Sequence, residues 1–366
     1  MSGGPLKGVR VLEFAGLGPV PHCCMLLADM GADVVLIARK GAAVSAREAV
    51  WRGRESVELD LKNPADVAAA LELAAAADVL VEGFRPGVME RLGLGPDIVC
   101  ERNKRIVYGR MTGWGQDGPL APSAGHDINY IALSGALHAM GRRDAPPSPP
   151  LNLVGDYGGG SLYLALGICA ALLEARQSGQ GQVIDCAMVD GVASLMALFY
   201  GLRGEGQWSD ERDANLLDGG APFYDVYECA DGAFVTIGAL EPQFYSMLLD
   251  ALGLQDDPLF ADQMNKAAWP AMSARIAEVI ALKPLAAWRS LMDGTDACFA
   301  PVMSMADAPH HPHNRARGVF LELDGVIQPG PAPRFSRTLS SARKGLVSDA
   351  RSVRARWVCS TSDPNS

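Results

Sequence analysis

No apolar run in this 366-residue chain approaches the length of a membrane span, so an integral membrane protein is not expected. The opening Met-Ser-Gly-Gly-Pro has neither the charged nor the apolar region of a secretory signal, and a cytoplasmic location is the expectation. The eight cysteines form no Cys-x-x-Cys pair and mostly sit among apolar residues, which reads as reduced core thiols without a zinc site. His310, His311 and His313 are interrupted by Pro309 and Pro312, so a loop is expected there rather than a metal patch. A basic excess is missing as well: the net charge of −10 argues against a nucleic-acid partner. That charge is uneven. Residues 1–110 carry 14 basic and 14 acidic side chains, so the acidic excess falls later and an anionic ligand would be better received in the first third.

With 49% hydrophobic residues the chain can bury a large core and divide into more than one domain. Val9 to Phe14 reads as a strand, followed by a glycine turn, a helix through Met30, and a second strand Val34 to Ile37. A dinucleotide fingerprint needs Gly-x-Gly-x-x-Gly after that first strand; here Gly16-Leu-Gly18 runs into Pro-Val-Pro, which speaks against an NAD site. Further strands are expected at Ser56 to Leu61, Val79 to Glu82 and Ile106 to Arg110, with a long helix after Asn63-Pro64. The alternation predicts an α/β, doubly wound, Rossmann-like large domain over 1–202. A polar linker (203–220), a smaller α+β domain (221–300) and a return to the large domain (301–335) follow. Residues 336–366, rich in Ser and Arg with no helical stripe, read as an atypical tail without order of its own. Cations stand just beyond the predicted strands: Arg39 and Lys40, then Arg85 and Arg91. Each reads as a surface charge or as a phosphate ligand.

The stretch from Gly125 to Gly160 is the candidate functional core. It opens with Gly-His-Asp-Ile-Asn-Tyr, passes through a loop with Pro146, Pro147, Pro149 and Pro150, and closes with Asn-Leu-Val-Gly-Asp-Tyr-Gly-Gly-Gly. Asp156 is placed just ahead of a helix N-terminus, where the dipole would favour its ionised form. On pattern alone Asp156 also reads as a helix cap, and His126 as a satisfied loop histidine.

These two segments, with Leu-Leu-Ala-Asp-Met-Gly-Ala-Asp-Val-Val near the N-terminus, Asp218-Gly-Gly-Ala-Pro-Phe-Tyr224 and Glu241-Pro-Gln-Phe-Tyr245, resemble the α-methylacyl-CoA racemase branch of the family III CoA-transferase superfamily. The likeness runs in order from about Leu6 to about Thr338. It implies the family III CoA-transferase fold, an interlocked homodimer with active sites at the subunit interface, and no tightly bound cofactor. Coenzyme A would enter only as part of the acyl-CoA substrate. The implied reaction interconverts (R)- and (S)-2-methylacyl-CoA by two-base proton transfer, with His126 and Asp156 as the bases and Glu241 orienting the histidine. Asn152 and Asp127 would support them. The implied coenzyme A contacts are Arg39, Glu58, Leu59, Asp60, Leu61, Arg85, Arg91, Gly125, Asp127 and Tyr130. A CoA transferase, with Asp156 as nucleophile, is the alternative within the superfamily.

Overall fold

The structure, a computed structural model, describes residues 3–41 and 49–359; the N-terminal Met-Ser and residues 360–366 of the expected tail lie outside them. The chain divides into two compact units, Met1–Ser134 with Pro150–Met196 and His311–Ser366, and Gly135–Pro149 with Ala197–His310.

The first unit begins with β1 (Arg10–Phe14), α1 (Pro19–Asp29), β2 (Asp33–Ala38), β3 (Arg54–Glu58), α2 (Pro64–Ala76) and β4 (Val79–Glu82). It continues with α3 (Val88–Arg91), α4 (Pro96–Arg102), β5 (Val107–Thr112) and α5 (Asp127–Leu133). After residue 150 come α6 (Leu162–Ser178), β6 (Val183–Ala187) and α7 (Met188–Leu195). The central strands β1, β2 and β4 are rich in Val, Leu and Ile and buried on both faces, as a sheet covered on two sides requires. Asn63 caps α2 by accepting the Ala65 amide at 3.0 Å, with Pro64 in the first turn.

The second unit holds α8 (Ala197–Gly204), the sheet strands β7 (Tyr224–Glu228) and β8 (Phe234–Gly238), and α9 (Pro242–Leu252). It ends with α10 (Trp269–Ile280), α11 (Leu285–Met292) and β9 (Phe299–Pro301), which pairs antiparallel with β8. Its core gathers Phe223, Tyr245, Trp269 and Trp288. The expected linker is no free tether. Asn215, 1% exposed, accepts the Ser209 amide and donates to Asp218, Ser209 and Glu211, so the polar composition there encodes a hydrogen-bonded knot. The proline loop also belongs to this unit: Arg142 bridges Asp213 and Asp225, and Arg212 donates to the carbonyls of His138, Arg142 and Ala145. The unit boundaries therefore fall at 196/197 and 310/311 instead of the expected 202 and 301.

Back in the first unit, α12 (Pro312–Arg317) and the hairpin β10 (Phe320–Leu323) and β11 (Val326–Pro329) precede β12 (Leu346–Ser348) and α13 (Ala350–Cys359). The large sheet has seven strands in the order β12-β3-β2-β1-β4-β5-β6, all parallel. The expectation of a tail without order is corrected here. β12 extends the sheet beside β3, and α13 packs on α2 with Val353 at 0% and Trp357 at 1% exposure. Trp357 donates its indole N–H to Asp33 at 2.8 Å, and Arg356 pairs with Asp33 and Glu55. Two large apolar side chains four residues apart anchor a helix in which half of the other residues are arginine or serine, so average composition hid it.

One continuous helical stretch among the described residues, Leu153–Ser178, is long and apolar enough to cross a membrane, contrary to the expectation that no run reaches that length. Half of it is buried in the fold, as a core helix would be.

Candidate active site

In the large sheet the strand order reverses between β1 and β4, and loops leaving the carboxyl ends of these strands diverge. A cleft of about 440 Å³ opens there. Gly16, Leu17 and Gly18 enter it from β1, and Gly83, Phe84 and Arg85 from β4. The Gly83–Arg85 turn is held from below by Glu82, which accepts the Phe84 amide at 2.7 Å and the Arg110 guanidinium at 3.0 Å. His126, Tyr130 and Asp156 line the opposite part, with Met188 from the start of α7.

His126 caps α5 in extended backbone, its amide given to Asn129 Oδ1 at 3.0 Å, and its side chain is exposed. Asp127 is buried beneath it, and its Oδ1 accepts the Asp156 amide at 2.7 Å. Residue 155 must be glycine for this approach, since a Cβ there would stand 2.5 Å from Asp127 Oδ1. One carboxylate thus ties the histidine-bearing turn to the aspartate-bearing one.

Asp156 does not precede a helix, as expected, but lies inside a π-helical stretch, Leu153–Ser161, that runs directly into α6. Asn152 Nδ2 donates to its Oδ2 at 3.1 Å. Gly18, with φ of 68°, packs against the carboxyl; a Cβ there would sit 2.7 Å from Oδ2. The Gly-x-Gly-Pro turn that fails as a dinucleotide fingerprint is therefore used to admit a carboxyl side chain. Burial raises the Asp156 pKa and the neighbouring Asp127 charge adds to this, against the opposing effects of Asn152 and His126. The expected stabilisation of the ionised form is overruled by desolvation.

This shift has a sign for stability. A carboxyl with a raised folded-state pKa contributes stability that is complete below its unfolded value and lost as pH rises through the folded one. Asp156→Asn should therefore melt at a higher temperature than the parent protein at pH 7 to 8. The gap should close below the unfolded value of about 4. Thermal melts across that range check it; a variant less stable at neutral pH would show that desolvation is not the controlling effect.

Tyr130 lines the same cleft as His126 and Asp156. Its ring meets Trp114 edge-on, with centroids 4.7 Å apart, and occupies space left by Gly113 and Gly125. Burial, then the Asp156 charge, raises its hydroxyl pKa. Of the other predicted coenzyme A contacts, Arg85 and Gly125 line the cleft. Arg39 and Arg91 are exposed outside it. Glu58 ends β3 and accepts the Gly41 amide, while Leu59, Asp60 and Leu61 lie beyond the strand that was expected to contain them. Glu241 stands in the second unit, exposed, at the N-terminus of α9. Sequence reading missed Gly18 and Met188 as cleft residues; proximity to the strand ends was the available signal.

An open parallel sheet whose switch-point cleft holds an exposed imidazole and a half-buried carboxyl defines an α/β protein equipped for acid–base or acyl chemistry. The sequence profile of CoA-transferase family III matches residues 6–349, and the chain belongs to that family. It is 49% identical over 335 residues to the α-methylacyl-CoA racemase of Mus musculus, covering 91% of this chain and 87% of the mouse protein. The Homo sapiens α-methylacyl-CoA racemase is 46% identical over 334 residues, covering 91% and 87%. A CAIB/BAIF family protein from Brucella suis shares the fold, with a TM-score of 0.82 at 24% identity, over 97% of this chain and 99% of that one.

Proposed function

We propose that this protein is an α-methylacyl-CoA racemase, an isomerase that interconverts (R)- and (S)-2-methylacyl-CoA. The observation that carries the reading is the convergence of His126 and Asp156 on one cleft, bound together through Asp127. The relatives named above supply the substrate class.

The α-proton of a thioester becomes removable when charge developing on the carbonyl oxygen meets fixed donors. The Asn129 and Tyr130 amides of α5 are taken by the His126 carbonyl, which leaves those of Asp127 and Ile128 in the first turn as the candidate donors. One base takes the C2 proton, leaving an enolate; the conjugate acid of the other delivers a proton to the opposite face. Net composition is unchanged and the centre is inverted. His126 serves the (S)-proton and Asp156 the (R)-proton. A raised Asp156 pKa suits a group that must be acid in one direction and base in the other. The pair must begin each turnover oppositely protonated, so the rate should be bell-shaped in pH.

Incubation of each epimer in D2O tests the reading: deuterium should appear at C2 of both products. Transfer of CoA to a free acid without α-exchange would instead make Asp156 a nucleophile and the protein a transferase. Arg85, at the cleft, binds the coenzyme A phosphates together with Arg39 and Arg91. Arg85→Ala should therefore raise KM with little change in kcat. An unchanged KM returns it to the surface charges.

The active form is a homodimer in which Glu241 of the partner subunit orients His126. Leu162, Leu166 and Leu173, each more than half exposed on α6, supply apolar surface for such association. Refolding His126→Ala with Glu241→Ala chains should restore activity; verified heterodimers without activity would place the pair within one chain.

A further inference from the structure

We propose that His22 is a positioning residue for Asp156: it holds the π-helical register of Leu153–Ser161 and, through it, the aim of the carboxyl. The inference rests on the two-base reading above for its kinetic consequence, and on geometry alone for its structural one.

The π-helical stretch is bonded five residues apart where it matters. Tyr157 donates its amide to the Asn152 carbonyl at 3.3 Å, and Leu162 donates to the Tyr157 carbonyl. Such a turn is an uncommon state of a helix and needs support from outside. Relaxation to ordinary α-helical bonding would remove one residue from the turn. Side chains before the change would rotate by roughly 100°, the angle of one residue in a helix of 3.6 per turn. Asp156 would then leave both Gly18 and the cleft.

The external support is His22, in the first turn of α1. Its Nδ1 lies 2.7 Å from Ser161 Oγ, and its ring stacks on Tyr157 with centroids 4.4 Å apart and an interplanar angle of 21°. Tyr157 and Ser161 are four residues apart, one immediately after Asp156 and the other where the π-helical stretch ends. A single imidazole thus pins both ends of this interval. The α1 turn that carries it is itself fixed, because the buried Arg54 guanidinium donates to the Pro21 carbonyl. Burial, followed by the charges of Arg54 and Arg52, lowers the His22 pKa and favours the neutral ring. A neutral imidazole can stack on Tyr157 and share one hydrogen bond with the Ser161 hydroxyl without bringing a charge beside Asp156. His22 does not line the cleft, so it acts through the helix rather than on the substrate.

Three variants test this: His22→Ala, His22→Phe, which keeps a ring for the stack, and Ser161→Ala. The readout is initial-rate deuterium incorporation measured separately from (R)- and (S)-2-methylacyl-CoA, alongside KM. In His22→Ala, exchange of the (R)-proton should fall by about two powers of ten or more, toward the loss expected for a missing proton-transfer group. Exchange of the (S)-proton and KM should change far less. His22→Phe and Ser161→Ala should each give a smaller loss on the same face, and the two together no more than the larger, since both remove one hydrogen bond. Equal loss on both faces, or none, overturns the proposal. A crystal structure of His22→Ala supplies the check that does not need activity: the Tyr157–Asn152 bond should be replaced and Asp156 turned away from Gly18. An unchanged register overturns the inference whatever the parent protein catalyses. Absence of exchange in the parent protein, with the register shifted in the variant, would sink the racemase reading and leave the positioning role standing.

Discussion

His126→Ala and Asp156→Asn should each lower racemisation by about two to four powers of ten, the range expected for a positioned proton-transfer group. Their residual chemistry should differ. With His126 gone, Asp156 can still exchange the (R)-proton with solvent and return it to the same face. With Asp156 neutralised, slow exchange should persist from the (S) side. Deuterium at C2 without inversion is therefore the expected signature, followed by mass spectrometry and chiral separation of the acyl group. Two variants that racemise near the parent rate would remove both residues from the mechanism. The stability prediction for Asp156→Asn sharpens this test, because an inactive variant that melts higher at neutral pH cannot owe its loss to unfolding.

Arg54→Ala should be the most destabilising single change in the sheet, by about 3–5 kcal/mol, the cost of leaving one partner of a buried ion pair alone. Glu13, in the middle strand β1, is 0% exposed, and Arg54 meets it at 2.8 Å from β3. Burial raises the Glu13 pKa against the pull of that guanidinium. Without Arg54 the rise is larger. Because a raised carboxyl pKa contributes stability that fades with increasing pH, the deficit should be greatest near neutrality and shrink toward acid. Denaturation midpoints at pH 7 and pH 5 measure it. The double change Arg54→Met with Glu13→Leu should recover most of the loss, since apolar replacements of a buried pair are often close to neutral. A deficit under about 1 kcal/mol, within the surface range, would show that water reaches Glu13 in the variant.

Much of the sheet was legible because its strands are short apolar runs bounded by glycine and charge. Val79 to Glu82 needed no context, and neither did the Asn63-Pro64 helix start. The two proposed bases were legible only through resemblance. His126 and Asp156 are separated by a proline loop that packs in the other unit, so nothing in their spacing announces that they share a cleft. The π-helical stretch was hidden for a related reason. Gly158, Gly159 and Gly160 read as a loop, yet they let backbone meet backbone: a Cβ on Gly191 of α7 would fall 1.8 Å from the Gly159 carbonyl oxygen. His22 carried no signal, because its partners Tyr157 and Ser161 are remote in sequence and near only in space. The helix at Ala350–Cys359 was missed because arginine and serine outweigh Val353 and Trp357 in any average, although burial depends on those two alone.

The position of β12 also bears on how the chain is made. Its partner β3 is finished early in synthesis, while β12 follows only after the whole second unit. Until then β3 is a bare sheet edge, with unpaired amides and carbonyls open to any strand that passes. The second unit, contiguous from 197 to 310 apart from its proline loop, can collapse on the ribosome while that edge waits. The large sheet is sealed only once β12 has emerged behind the second unit, which makes the interval between the two strands the time when a nascent copy is most exposed to pairing with another.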